Sequence, residues 1–270
     1  MTSNSPITVV AYSRNGLDLT ATYLSDAAFV VPEILSAQFS DALTQWKAQL
    51  AFDSVRVQPS SVLIRNDAVE LTGGPIHYSE LRALKQCLKN LRRDSPDAFE
   101  RLPAGYMSSI GLVVLVISAD GLMLAALRGD KVAVHANEWT LGLGEGLEAK
   151  DFQAGTLEPA VLRALSEELH IVEADVPAAA LKVLGLMHSH ETLDITVVAV
   201  ADMRGAGPAF AASDILRRAA TADDAWEHAQ LLFIPTDRES LDRTITASAR
   251  AAVPGMYVVF DMLAGYLSSR

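Results

Sequence analysis

Two adjacent glutamates, Glu167 and Glu168, have the residue type and the setting to do chemistry in this chain. They lie near the end of the stretch from Leu141 to Ile171, and glycines stand at alternate positions before them: Gly142, Gly144 and Gly146. Glycines let a backbone approach a metal or a phosphate closely, and hard divalent cations prefer carboxylate and carbonyl oxygens as ligands. The combination indicates a divalent cation held against a phosphate ester.

An amphipathic helix over residues 158–169 must position these acids, because apolar residues recur there at helical spacing: Val161, Leu162, Leu165 and Leu169. Arg163 lies four residues before Glu167, so the two can pair along one side of the helix. Glu168 is rotated by about 100° from Glu167 and serves another direction. A surface helix with solvated acids is the alternative interpretation, since charge runs usually mark solvated faces.

Two common phosphate-binding loops do not match these glycines. A dinucleotide-binding loop leads directly into its helix with G-x-G-x-x-G spacing, whereas the spacing here is G-x-G-x-G and Glu145 would repel a pyrophosphate. A P-loop requires Gly-Lys-Ser/Thr, which does not follow.

The segment from Gly144 to Ile171 resembles a divergent Nudix box, whose usual form is GxxxxxE, seven residues, then REUxEExGU, where U is bulky and aliphatic. Five residues stand at the R, U, E, E and final U positions: Arg163, Leu165, Glu167, Glu168 and Ile171. Ala164 replaces the Glu of the RE pair, and His170 replaces the glycine. The spacing is five residues longer than usual, which predicts an insertion within 149–156.

The flanking segments extend this resemblance. Residues 127–132 and 137–139 look like the family's approach to its glycine loop, and 226–228 before 231–235 look like its late acid and following strand. The layout of the N-terminal hundred residues is similar to the uridine diphosphate glucose pyrophosphatase branch.

The resemblance implies a hydrolase that uses Mg²⁺ or Mn²⁺ to split a nucleoside diphosphate linked to another group, such as a UDP-sugar, and releases a nucleoside monophosphate. It implies Glu168 as the principal metal ligand and a backbone carbonyl ligand from Gly144. Glu167 either ligates the metal or pairs structurally with Arg163. Glu227 is the candidate for a further ligand or general base, or it is a solvated residue beside a strand.

Four cationic or titratable residues are candidates for substrate binding: Arg128, Lys131, His188 and His190. Arg can hold a phosphate through a bidentate fork, although exposed hairpin cations are also common. The two histidines alternate along a strand and share a face, but no third soft ligand accompanies them, which argues against zinc.

Ala164 opens a second functional hypothesis, a catalytically impaired Nudix domain that acts as a nucleotide-binding sensor or interaction module. The family's carboxylate at that position lies one helical turn before Glu168. Acids of the preceding loop could replace it: Glu145, Glu148 or Asp151.

Composition limits the class of protein. The net charge of −11 over 270 residues argues against nucleic-acid binding. A lone cysteine, Cys87, and an N-terminus without a signal-like apolar run predict a soluble, cytoplasmic protein. We expect a small nucleotide as partner, no nucleic acid and no membrane, with a homodimer allowed.

Strands and helices interleave along the chain, which predicts an α/β fold with a mixed sheet. The Nudix resemblance implies an α/β/α sandwich over residues 105–270, preceded by a small α+β unit over residues 1–104. Residues 7–12 and 17–23 are expected to be strands around a turn at 14–16, and residues 110–118 and 122–127 to form a hairpin.

Overall fold

A ten-stranded mixed sheet dominates the computed structural model, which describes residues 7–50, 53–103, 105–132 and 134–270. The strands are β1 (Ile7–Tyr23), β2 (Val55–Arg65), β3 (Ala68–His77), β4 (Ser109–Ile117), β5 (Met123–Arg128), β6 (Trp139–Leu141), β7 (Leu143–Gly146), β8 (Leu181–Ser189), β9 (Asp194–Asp202) and β10 (His228–Ile234). The helices are α1 (Ser36–Gln49), α2 (Tyr78–Asp94), α3 (Pro96–Phe99), α4 (Ala149–Gln153), α5 (Glu158–Leu169), α6 (Ala212–Ala219), α7 (Arg238–Ser248) and α8 (Met256–Leu267).

The sheet runs in the order β10-β5-β4-β9-β8-β1-β3-β2, with β6 paired to β5 and β7 paired to β4. Strands β4 and β9 are parallel, as are β1 and β3, and the other pairs are antiparallel. The predicted α/β class with a mixed sheet is therefore confirmed.

Helices cover both faces of the sheet, and strand β9 shows how. Its residues Ile195, Val197 and Ala199 pack into the core beneath α5 and α6, while Val198 and Val200 pack into the core beneath α7 and α8. This alternation follows from the period of two of a strand buried on both sides. Helices α1 and α2 pack on each other in a third apolar cluster.

One prediction about local structure is wrong, and a second is confirmed only in part. Residues 7–23 form one strand, not two around a turn, because the chain stays paired with β8 before and after Gly16. The shift of register between Tyr12 and Leu17 accommodates the predicted turn residues as a bulge, in which Gly16 has φ +100°.

The arms of the predicted hairpin exist, but β4 and β5 pair only at Ile117 and Met123. They diverge because β7 pairs with β4 and β6 pairs with β5. Gly142 separates β6 from β7 with φ +69°, and a Cβ there would lie 2.1 Å from the Val114 carbonyl oxygen. Only glycine fits this crossing.

The N-terminal strands belong to the same sheet as the rest of the chain, since β1 pairs with β8. The core under α5 also includes Leu17, Val57 and Leu71 from the first hundred residues. The domain boundary at residues 104 and 105 stays a prediction. In the described part of the chain, no helix is long and apolar enough to cross a membrane.

Candidate functional site

Helix α5 has the bounds that the sequence predicts, Glu158–Leu169. Pro159 lies in its first turn, where a missing N–H costs nothing. His170 ends it in the left-handed conformation with φ 54°, so this residue adopts the geometry for which the Nudix box uses glycine. Ala164 is fully buried in the main core.

Glu168, the expected principal metal ligand, is turned into the protein. Its side chain is only 3% exposed, and its Oε2 lies 2.7 Å from Nε2 of His228, which is 2% exposed. Burial first, and then the nearby Glu145, raise the pKa of Glu168 well above its ordinary value. Burial lowers the pKa of His228 to about 4. The surroundings of the pair therefore disfavour charge on both groups.

Three further acids lie near this pair: Glu145 on β7, Glu167 on α5 and Glu227 just before β10. Burial, followed by the charge of Glu168, raises the pKa of Glu227 to about 7. The pKa of Glu167 is also raised, first by burial, and repulsion from Glu145 and Asp224 adds to it. The backbone N–H of Asp224 donates to the Glu167 carbonyl oxygen at 2.9 Å, which ties the loop before β10 to α5. The predicted catalytic acids Glu167, Glu168 and Glu227 are thus brought together.

Arg163 occupies the centre of an ion-pair network. Its guanidinium lies 3.0 Å from Glu145, 2.8 Å from Asp151 and 3.7 Å from Glu167. The predicted pairing of Arg163 with Glu167 is present, but the two loop acids are closer. These charges raise the pKa of Arg163 although its burial opposes this.

The loop acids do not replace the carboxylate absent at Ala164. The predicted insertion folds as α4, where Glu148 and Asp151 form a capping box. Asp151 is 1% exposed, accepts from the Glu148 N–H at 2.8 Å and pairs with Arg163. Glu148 also pairs with Arg56 at 3.3 Å and with Lys150 at 2.9 Å. Of these three loop acids, Glu145 alone is among the charges that shift the pKa of Glu168.

Arg128, at the end of β5, lies against Gly144. A Cβ on Gly144 would be 3.2 Å from Nη1 of Arg128, and Nε of Arg128 donates to the Val134 carbonyl at 3.1 Å. Its positive charge lowers the pKa values of both Glu168 and Glu227, against the larger effect of their burial. Lys131 is exposed on the turn that follows. The guanidinium of Arg128 therefore supplies positive charge beside Gly144, the glycine that the Nudix resemblance implies as a backbone carbonyl ligand.

His188, on β8, and His190, in the turn that follows it, lie elsewhere in the molecule. Their rings meet edge to face at 5.1 Å, and Nε2 of His190 lies 2.6 Å from the Thr8 hydroxyl. Strand β8, which carries His188, is separated from β10 by three strands. The structure does not join this histidine pair to the acids around Glu168, and its role in substrate binding stays a prediction.

The residues present do not fit the divalent cation that the Nudix box implies. Ala164 is enclosed by apolar side chains, Glu168 is bonded to His228, and the loop acids Glu148 and Asp151 cap a helix. Among the described residues, no group of three or more His, Cys, Asp or Glu side chains is arranged to hold a metal ion.

His228 is the residue that sequence reasoning missed. It directly follows Glu227, but exposed and buried histidines look alike in a sequence. The available signal was its place at the start of β10, opposite Arg128 in the neighbouring strand.

No protein-family model matches the sequence, and no curated protein matches it. Solved structures with some similarity include a bifunctional NMN adenylyltransferase/ADP ribose pyrophosphatase from Francisella tularensis, complexed with AMP and a Mn ion, at 20% identity and a TM-score of 0.41, covering 69% of this chain and 48% of that one. A Nudix hydrolase from Alicyclobacillus acidocaldarius is 15% identical with a TM-score of 0.38, covering 57% of this chain and 89% of that one. The complex of the C-terminal domain of mouse MUTYH with human PCNA is 16% identical with a TM-score of 0.37, covering 59% and 90%.

This chain spans about half the length of the bifunctional protein. At these identities and TM-scores the likeness carries no information on activity, substrate or partner. None of the three is a uridine diphosphate glucose pyrophosphatase, so the resemblance to that branch gains no support.

Proposed function

We propose that this chain is a Nudix-like domain that binds a nucleotide without hydrolysing it, as a sensor or interaction module. The observation that carries the proposal is the buried pair of Glu168 and His228 at 2.7 Å. A metal-dependent phosphohydrolase needs its principal carboxylate ionised and open to the ion. Glu168 is instead enclosed, and its Oε2 is hydrogen-bonded to His228.

Two cations are available for a phosphate at the end of β5. Arg128 has only its Nε committed to a backbone carbonyl among the described hydrogen bonds, and Lys131 is exposed three residues later. A guanidinium can bind phosphate oxygens through two parallel hydrogen bonds. These residues support recognition of an anionic ligand. The neighbouring acids repel negative charge, so the part of the ligand next to them should be neutral or positively charged.

Turnover and binding assays on the same ligands test the proposal. The protein is incubated with Mg²⁺ or Mn²⁺ and nucleoside diphosphate sugars, dinucleoside polyphosphates or ADP-ribose, and phosphate is measured after phosphatase coupling. We expect no release above a Glu227→Gln control. Calorimetry should detect nucleotide binding that weakens about tenfold in Arg128→Ala, the size of one lost charge-assisted hydrogen bond. Turnover by the wild-type protein, or no binding of any nucleotide, contradicts the proposal.

Hydrolysis of a nucleoside diphosphate derivative, such as a UDP-sugar, is the second candidate, and one observation favours it. The pKa of Glu227, raised to about 7, is suited to a general base at neutral pH. Under this hypothesis the rate with the best substrate rises as pH increases through about 7, and Glu227→Gln abolishes it. A measurable rate that Glu227→Gln leaves unchanged excludes Glu227 as the base.

A further inference from the structure

Trp226, just before β10, is the exposed tryptophan of this chain. It is 54% exposed, whereas Trp139 is buried and Trp46 is half-buried, with its indole Nε1–H donating to the Gln86 side chain at 2.8 Å. Tryptophan is highly buried on average in folded proteins. Exposure alone assigns no role to a side chain, so the surroundings of the ring decide what it can bind.

The indole of Trp226 is fixed beside the candidate site. Its Nε1–H donates to Oδ1 of Asp224 at 2.9 Å. The backbone N–H of Asp224 donates in turn to the carbonyl oxygen of Glu167 at 2.9 Å, and Glu227 is the next residue along the chain. A ring held in this way loses less freedom when a ligand binds than a mobile ring does.

The segment that carries Arg128 and Lys131 packs against the backbone of Trp226. The N–H of Gly129 donates to the Glu227 carbonyl oxygen at 2.7 Å, and a Cβ on Gly129 would lie 2.8 Å from the Trp226 carbonyl oxygen. Glycine permits this close approach of two backbones. An exposed aromatic ring and two cations therefore lie on neighbouring segments, within the span of one ligand.

We infer that Trp226 is the stacking surface for the base of a bound nucleotide, with the phosphates directed toward Arg128. This deepens the proposed function, on which it rests, by assigning the residue that recognises the base. A nucleobase is neutral, so it can lie next to Asp224, whereas a phosphate there would be repelled. Every base offers a π-face, so stacking on Trp226 accepts purines and pyrimidines alike.

Calorimetry on the full-length protein in EDTA, with ADP, UDP and inorganic pyrophosphate as probes, tests this assignment. Trp226→Ala should bind ADP and UDP at least about fivefold more weakly than wild type, the lower end of the range for removing an aromatic side chain that stacks on a base. It should bind pyrophosphate as wild type does, because pyrophosphate has no base. Arg128→Ala should weaken the binding of all three probes. Trp226→Phe keeps an aromatic face and should retain most of the affinity for ADP and UDP.

Tryptophan fluorescence gives an independent measurement, since a base stacked on an indole quenches its emission. Quenching by ADP should disappear in Trp226→Phe and persist in the matched control Trp46→Phe. The inference is wrong if Trp226→Ala binds ADP and UDP as tightly as wild type, if its affinity for pyrophosphate falls equally, or if quenching survives Trp226→Phe. Turnover of a nucleotide by the wild-type protein overturns the proposed function alone, whereas wild-type protein that binds neither ADP nor UDP contradicts both.

Discussion

Two carboxylates in this molecule, Glu168 at 3% side-chain exposure and Asp194 at 20%, have opposite surroundings. Asp194, at the start of β9, accepts hydrogen bonds from the hydroxyls of Ser108 and Ser109 and pairs with Lys85 at 3.0 Å. Its pKa is lowered because Lys85 and these hydroxyls outweigh the effect of its burial. Glu168 has one neutral partner, His228, and its pKa is raised by burial and by neighbouring acids.

This difference distinguishes Asp194, an acid with a structural role, from Glu168, an acid of the candidate site. Donors surround Asp194, so it remains charged and fastens α2 to the sheet through Lys85. Acids surround Glu168, so its ionisation is unfavourable unless a cation arrives. A concentration of raised pKa values marks a functional site more reliably than burial alone.

A buried carboxylate with no hydrogen-bond donor at all would add a third case to this comparison. Introducing one should have the largest effect on the free energy of unfolding. Ala164→Glu places an acid in the apolar core under α5. Overpacking together with burial of the carboxyl should lower the free energy of unfolding by at least about 4 kcal/mol. Urea denaturation measures this change, and Ser166→Glu on the half-buried side of the same helix is the matched control. A stable Ala164→Glu protein with new Mn²⁺ affinity would show that this position still faces a metal site.

Removing Asp194, the acid that accepts several hydrogen bonds, should have the next largest effect on the free energy of unfolding. Asp194→Ala leaves Lys85, Ser108 and Ser109 without their shared acceptor, and we expect a loss of about 3 kcal/mol at pH 7. A lowered pKa in the folded protein contributes stability above the ordinary value of 3.8 and loses it as pH falls through the folded value. The gap between wild type and Asp194→Ala should therefore narrow near pH 3. Asp214→Ala, from the exposed pair with Arg217, should change stability by less than about 0.5 kcal/mol. An Asp194→Ala effect as small as that of the control would refute the structural role.

Removing the charge of an acid in the candidate site should have the opposite effect and stabilise the folded protein. Because the pKa of Glu227 is higher in the folded protein, its ionisation costs stability as pH rises from about 4.5 to about 7. Glu227→Gln should be more stable than wild type by about 1 kcal/mol at pH 8, a value reduced for solvent screening, and nearly unchanged at pH 4. Thermal denaturation at both pH values, with exposed Glu100→Gln as control, provides the measurement. Equal stability of wild type and Glu227→Gln at pH 8 would place Glu227 in water.

The sequence predicts most elements because their patterns are local. The apolar spacing and Pro159 define α5, and the strands β8 and β9 follow from alternating or continuous apolar runs. The predicted turn at residues 14–16 is wrong, and the predicted hairpin is confirmed only next to its turn. In both places the pairing is determined by strands elsewhere in the chain, which a local pattern does not reveal. The presence of a glycine does not by itself distinguish a turn that reverses the chain from a β-bulge within a strand.

The position of the candidate site could be predicted from the sequence, but the hydrogen-bond partners of its acids could not. The Nudix resemblance brought Glu167, Glu168 and Glu227 into one hypothesis, and the pairing of Arg163 with Glu167 followed from their separation. The partner of Glu168 could not be predicted, because His228 lies 60 residues away along the chain. The fate of Glu148 and Asp151 depended on the fold of an insertion for which no pattern was available.

The most direct test of the central claim, that Glu168 is a buried partner of His228 and not a metal ligand, is a Mn²⁺ titration of the wild-type protein at pH 7.5 beside Glu168→Gln. We expect the same free-ion signal for both proteins across the titration. One bound Mn²⁺ per wild-type chain, lost in Glu168→Gln, would contradict it.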